Sequence, residues 1–239
     1  RQQKAKDVHS ATPDVKQAIL DGRKVIASVA PSAPAYFGFH HFSEMEAALK
    51  QLGFHAAEET AVGAEIVGLA HRDYLEQMPE RQPVIASSCP VIVNLIEKYH
   101  PDLIPHLAPI VSPMIAHGRL LIQKYGPDAC IVFIGPCIAK KMEILDASEA
   151  GAVSAAITFR GLANWFKETG IVFEKAKSSP DPSSPADARL FPLEGGLIGT
   201  AGLSTDMLNN TLIVASGLET CGNILGDIRA GQLNASLVE

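Results

Sequence analysis

The sequence predicts an α/β fold, and three observations predict it. Short apolar, β-branched runs recur at Val25–Val29, Pro83–Ala86, Ile131–Ile134 and Leu212–Ala215, each of a length suited to a buried strand. Stretches of helical periodicity, opened by caps and closed by glycine, separate them, so strands and helices alternate as in a parallel sheet. The composition, 47% hydrophobic and 19% charged with 16 Pro and 19 Gly, is that of a folded globular chain and excludes disorder, collagen-like repeats and coiled coil. At a prior of about 150 residues per domain, the 239 residues suit one two-lobed domain or two small ones.

Residues 1–11 are polar and unpatterned and read as a linker. Thr12-Pro13-Asp14 is an N-cap followed by Pro at the first helical position, with Val15, Ala18, Ile19 and Leu20 as the apolar face and Gly22 as the stop. The strand Val25–Val29 empties into Ala30-Pro31-Ser32. Ser43 and Glu46 have capping-box spacing before a helix carrying Met45, Ala48, Leu49 and Leu52. A helix fills Thr60 to Gln77, the strand Pro83–Ala86 follows, and Cys89-Pro90 opens the next helix. Ser112-Pro113 starts another, which runs to Tyr125 with Gly126 after it. The strand Ile131–Ile134 leads directly into Gly135-Pro136-Cys137.

In the second half, Ala155–Ile157 reads as a strand, and Thr158 caps a helix that ends at Gly170. Ser178–Pro185 is a polar, proline-broken loop that suggests an insertion or lid. A glycine-rich stretch at 194–202, a helix near Thr205–Leu208, the strand Leu212–Ala215 and a helix from Leu218 to Ile228 complete the chain.

A net charge of -6, without a dense basic run, argues against a nucleic-acid partner. No apolar run is long enough to span a bilayer and no signal peptide is visible, so the expectation is a cytoplasmic protein without membrane insertion. The glycine-rich stretch matches neither dinucleotide nor P-loop pattern, and no G-x-S-x-G elbow is present. His40-His41 would face opposite ways on a strand and read as surface or interface histidines.

The four cysteines, Cys89, Cys130, Cys137 and Cys221, form no C-x-x-C pair, which removes zinc-ribbon and thioredoxin-type readings. Spacing alone leaves core filling or metal binding open. Cys89 and Cys137 each follow a strand, where doubly wound sheets collect ligands and exposed amides favour thiolates. Cys130 and Cys221 fall within a strand and a helix and are expected to pack in the core.

Ser87-Ser88-Cys89-Pro90, with Asn94, Tyr99, Pro101, Leu107 and Ser112-Pro113, precedes Gly135-Pro136-Cys137-Ile138-Ala139-Lys140-Lys141-Met142-Glu143. Together these segments resemble the catalytic domain of iron-only (di-iron) hydrogenases, whose first two signatures read T-S-C-C-P and M-P-C-x-x-K-x-x-E. The resemblance runs from Val25 to Glu239. It implies two α/β lobes, each a twisted, mostly parallel sheet flanked by helices, with a cofactor cleft between them. The lobes are expected at 23–135 and 136–239, after a linker and leading helix at 1–22.

The cofactor so implied is a 4Fe-4S cluster held by four Cys and bridged by one of them to a di-iron site bearing carbonyl and cyanide ligands. Cys89 and Cys137 would be cluster ligands, as thiolates must be. Lys140 would hydrogen-bond a cyanide, and it is grouped with Ser88 and Glu143 as the expected catalytic residues. Ala30, Pro31, Ser32, Met114, Pro136, Gly199 and Thr200 would line the cofactor.

Three departures from the family stand out. The third signature, E-x-M-x-C-x-x-x-C, would begin at Glu239, so the remaining ligands are expected beyond it and this chain alone is expected to hold an incomplete cofactor and to be inactive. Ser88 occupies the place of a proton-relaying Cys, and a hydroxyl is a far weaker acid than a thiol. Gly135 replaces a Met, and Met114 replaces a Gln, which changes the cofactor's surroundings. The departures resemble the sensory branches of the family, which implies a slow or hydrogen-sensing protein, an upstream ferredoxin-type segment as electron partner and a downstream signalling module. The alternative is a hydrogenase-like iron–sulfur assembly factor without hydrogen chemistry, and a third option is a cofactor-free domain that binds partners.

Overall fold

The computed structural model describes residues 9–78, 82–146, 150–172, 187–203 and 212–239. In chain order the elements are α1 (Thr12–Leu20), β1 (Val25–Val29), α2 (Ala33–Phe37), α3 (Phe42–Gln51), β2 (Ala56–Glu59), α4 (Ala61–Gln77) and β3 (Val84–Ile85). Next come α5 (Pro90–Tyr99), α6 (Pro113–Tyr125), β4 (Cys130–Gly135), α7 (Lys140–Glu143), β5 (Ala155–Thr158) and α8 (Phe159–Thr169). The last are α9 (Gly196–Thr200), β6 (Leu212–Ile213), α10 (Leu218–Arg229) and β7 (Leu237–Val238). The expected loop at Ser178–Pro185 and helix near Thr205–Leu208 lie outside the described residues. None of the described helices is long and apolar enough to cross a membrane.

One sheet has the order β2-β1-β4-β5 and the other the order β3-β7-β6, and every pairing is parallel. All residues of β1 and β4 are buried, as a parallel sheet covered on both faces requires. Each fully buried Val or Ile there contributes about 1.5–3 kcal/mol. In the second sheet the two faces separate by alternation along the strand. Val84, Ala86 and Leu237 pack with Val67 of α4 and Leu197 and Ile198 of α9, whereas Ile85 and Val238 pack with Ile96 of α5 and Leu225 and Ile228 of α10.

The described chain divides into two compact units, one of residues 9–60 and 117–172, the other of residues 61–116 and 187–239. This corrects the expected boundary at 135/136. β4 and β5 are hydrogen-bonded neighbours from Val132↔Ala155 to Gly135↔Thr158, so a division between them would break a sheet. β3, which lies between β2 and β4 in sequence, pairs with β7 in the other sheet.

Several local expectations also shift. Thr12 is the first residue of α1 and Ala11 precedes it as cap. The capping box of α3 is His41 with Glu44, whose Oε1 accepts the His41 N–H at 3.2 Å, and not Ser43 with Glu46. His41 is therefore a helix cap and His40 an exposed neighbour, neither on a strand. Thr158 does cap α8, its Oγ1 accepting the Gly161 N–H at 3.1 Å.

Candidate functional site

In the first unit the chain moves from β1 outward to β2 and then returns to the opposite side of β1 at β4. The strand order reverses between β1 and β4, the switch point outside which open α/β sheets bind ligands. The two loops leaving this point are Ala30-Pro31-Ser32 and Pro136-Cys137. They begin side by side, since the Ala30 N–H donates to the Ile134 carbonyl at 2.8 Å. Ala30 is buried, Pro31 and Ser32 are half-buried, and Pro136 and Cys137 are exposed. A Cβ at Gly135 would lie 2.5 Å from the Phe133 ring and 3.3 Å from the Ala30 Cβ. Gly135 therefore does not leave a void where the family has Met, because the Phe133 ring occupies that volume.

Past Cys137 the chain makes the single turn α7. The i,i+3 spacing puts Lys140 and Glu143 on one face, and the ammonium Nζ lies 2.7 Å from Glu143 Oε2 with the side chains 13% and 12% exposed. A largely dehydrated ion pair thus stands three residues from an exposed thiol. Lys141 turns away, donating to the His9 carbonyl at 2.6 Å, and burial lowers its pKa.

The second unit repeats the arrangement of thiol and strand end. β3 leads through Ser87 and Ser88 to Cys89, which is the extended N-cap of α5 with Pro90 at its first position. Ser87 donates to the Ile110 carbonyl and the Ser88 hydroxyl oxygen is buried, while Cys89 is exposed. Met114 is in the core, 1% exposed. Gly199 is exposed with open space around it, and the Thr200 hydroxyl donates to the Gly196 carbonyl at 2.7 Å. The glycine that sterics demand in this stretch is Gly196, whose added Cβ would strike the Leu190 and Phe191 carbonyls.

Cys130 is buried in β4, as expected, but Cys221 is only half-buried on α10, a correction to its expected place in the core. The pattern of exposure fits iron–sulfur chemistry in kind, with the two soft donors that follow strands accessible and Cys130 sealed away. Among the described residues no group of three or more His, Cys, Asp or Glu side chains is gathered as a metal site.

Two features escaped the sequence reading. Ser28, Thr60 and His117, all buried, form a polar network in the first unit, Ser28 Oγ lying 2.8 Å from both Thr60 Oγ1 and His117 Nδ1. Burial pushes the His117 pKa down to about 4. The Glu239 carboxylate, at the end of β7, accepts the N–H groups of Leu197 and Ile198 at 3.1 Å each. The sequence marked Glu239 only as the residue at which the third signature would begin, and gave no sign of its contact with the start of α9.

Residues 23–239 match the family model described as iron only hydrogenase large subunit, C-terminal domain. The chain is 30% identical over 224 residues to the periplasmic Fe hydrogenase large subunit of Nitratidesulfovibrio vulgaris, covering 82% of this chain and 53% of that protein. It is 35% identical over 139 residues to the cytosolic Fe-S cluster assembly factor NAR1 of Sclerotinia sclerotiorum, covering 47% of this chain and 24% of that protein. The chain thus spans about half the length of the hydrogenase and less of the assembly factor. A solved FeFe-hydrogenase HydA(deltaEFG) superposes with a TM-score of 0.72 at 20% identity, covering 97% of this chain and 81% of that one. A single-residue variant of the FeFe-hydrogenase HydA1 of Chlamydomonas reinhardtii gives 0.69 at 22% with the same coverage. These two likenesses show the fold. The chain belongs to the family of the iron-only hydrogenase large subunit, C-terminal domain.

Proposed function

We propose that this hydrogenase-like domain, within a longer protein, binds an iron–sulfur and di-iron cofactor and activates or senses dihydrogen. The observation that carries the reading is the Cys137 loop. An exposed thiol leaves the β1/β4 switch point, and three residues on the Lys140 ammonium is held 2.7 Å from Glu143 in a largely dry setting. Cys89 and Cys137 are assigned as cluster thiolates, and Ala30, Pro31, Ser32, Pro136, Gly199 and Thr200 as residues of the cofactor's surroundings. When bound, the cofactor supplies the exchange of two electrons and two protons with dihydrogen.

The protein's own contribution is to orient and to move protons. Lys140 offers N–H donors to an anionic group, and Glu143 fixes the ammonium while balancing its charge. The Ser88 hydroxyl is a poor acid near neutrality, so turnover is expected to be slow. Ser88→Cys should raise it, by up to roughly 10²–10⁴-fold where the rest of a proton path exists. A ferredoxin-type segment would deliver electrons and a downstream module would read the state of the site.

The second reading, an iron–sulfur assembly factor, is favoured by the NAR1 likeness at 35% identity and by Ser88 itself. One experiment separates the two. The full-length protein is loaded with iron, sulfide and a synthetic di-iron carbonyl–cyanide complex, and its infrared spectrum is recorded under argon and under dihydrogen. The hydrogenase reading expects protein-bound carbonyl and cyanide bands that shift with dihydrogen. Cluster absorption without such bands would leave the assembly reading standing.

A further inference from the structure

At the carboxyl edge of the second sheet, β7 lies between β3 and β6. Its last pairings are tight. The Ala86 N–H donates to the Val238 carbonyl at 2.9 Å, the Glu239 N–H to the Ile213 carbonyl at 2.8 Å, and the Ala215 N–H to the Glu239 carbonyl at 2.8 Å. The backbone of Glu239 is thereby locked beside the strand that delivers Ser88 and Cys89. Its side chain reaches to the start of α9, where the Leu197 and Ile198 N–H groups donate at 3.1 Å each, while the neighbouring Gly196 N–H donates to the Leu193 carbonyl at 2.9 Å.

Gly195 sits at φ +76° and Gly196 packs against the Leu190 and Phe191 carbonyls. The turn can adopt this amide-lined concavity only because both positions are glycine. What fills the concavity is the chain's own carboxylate. Burial raises the Glu239 pKa, and the backbone N–H groups around the carboxylate, those of Leu197 and Ile198 first, act in the opposite direction.

We propose that Glu239 is a positioning residue of the cofactor site, its carboxylate fixing the Gly195–Thr200 turn in register with the strand ends that carry Ser88 and Cys89. This rests on the reading of Gly199 and Thr200 as cofactor-lining residues. The glycine-rich turn accordingly has its anion already, supplied from within, and serves to present backbone at the sheet edge. Loss of the carboxylate would free the Leu197 and Ile198 N–H groups together and loosen α9, while leaving Cys89 and its helix in place.

The test uses the full-length protein and its Glu239→Gln and Glu239→Asp variants, the second keeping the charge but drawing the carboxylate back by one methylene. Amide NMR positions of Leu197 and Ile198 are followed from acid to neutral pH. The two should titrate together, with a midpoint above the ordinary Glu value, and the transition should vanish in Glu239→Gln. Their hydrogen exchange should also speed up by at least about tenfold, the loss expected for hydrogen bonds to a charged group.

In parallel, each protein is charged anaerobically with iron and sulfide in the presence of free thiol, and iron loss to a chelator is timed. Glu239→Gln should lose iron about tenfold faster, the low end for a residue that supports a metal site from outside its ligands. Should the Gln variant fail to fold, Glu239→Asp carries both measurements, with smaller effects of the same sign. Unmoved amides overturn the inference, and so do shifted amides with unchanged iron loss. Failure of the unsubstituted full-length protein to take up iron would instead overturn the cofactor reading on which it rests.

Discussion

The Lys140 ammonium lies 2.7 Å from the Glu143 carboxylate oxygen, and both side chains are nearly dry. At that depth the cost of stripping water from two charges is repaid only while both partners are present. Lys140→Met and Glu143→Gln should therefore each lower stability by about 1–3 kcal/mol, and the double substitution should cost less than the sum. A double-mutant cycle by denaturant unfolding reads this directly. Additive costs would mean that the pair is solvated in solution.

His117 predicts a pH dependence. Its folded pKa of about 4 lies below the ordinary His value of about 6.5. The unfolded state thus binds the extra proton, and stability rises with pH. The contribution is complete above about pH 6.5 and is lost as pH falls toward the folded value, about 3 kcal/mol in all. His117→Gln can still bond Ser28 but cannot titrate, so its stability should fall less over that window. His71, whose pKa burial also lowers, contributes with the same sign in both proteins and cancels from the comparison.

The glycine-rich stretch should respond in opposite directions at two positions. Gly196→Ala drives a methyl into the Leu190 and Phe191 carbonyls and should cost about 3 kcal/mol or more. Gly199→Ala enters open space on an exposed face of α9 and should stabilise by about 0.5–1 kcal/mol. Thermal melts of the two variants suffice to check this.

Gly135 and Phe133 should behave as one packing unit. Gly135→Met alone forces a side chain into the volume of the Phe133 ring and should destabilise by about 1–3 kcal/mol. Joined to Phe133→Ala, which opens that volume, it should cost less than the two single changes added together, as denaturant unfolding of the three variants would show.

What the sequence made legible follows from which residues act alone. β1 and β4 announce themselves because every residue of each is buried, so an unbroken apolar run is both cause and sign. Cys89 is readable as a cap because Pro90 fixes the turn that follows. β2, with sequence Ala-Ala-Glu-Glu on the sheet edge, and the two-residue β7 carry too little pattern to be seen. The His41 cap was hidden because His is not among the usual capping residues.

The polar network could not be foreseen, since Ser28 meets Thr60 and His117 across 32 and 89 positions. The unit boundary failed for a related reason. Consecutive strands β2, β3 and β4 alternate between two sheets, whereas a boundary drawn from sequence assumes that neighbours in the chain stay together. Of the expected site residues, the Cys137, Lys140 and Ala30–Ser32 positions fall around one switch point. Met114 falls in the core instead, because the first turn of α6 turns that side chain inward.

The central claim is that Cys89 and Cys137, and not the other two cysteines, hold iron. The most direct measurement is iron and sulfide content with visible absorption after anaerobic loading in the presence of free thiol, on the full-length protein and on four single Cys→Ser variants of it. The account predicts that Cys89→Ser and Cys137→Ser lose cluster absorption and bound iron, whereas Cys130→Ser and Cys221→Ser retain both. Full loading of the Cys89→Ser and Cys137→Ser proteins, or loss confined to Cys130→Ser or Cys221→Ser, would contradict it.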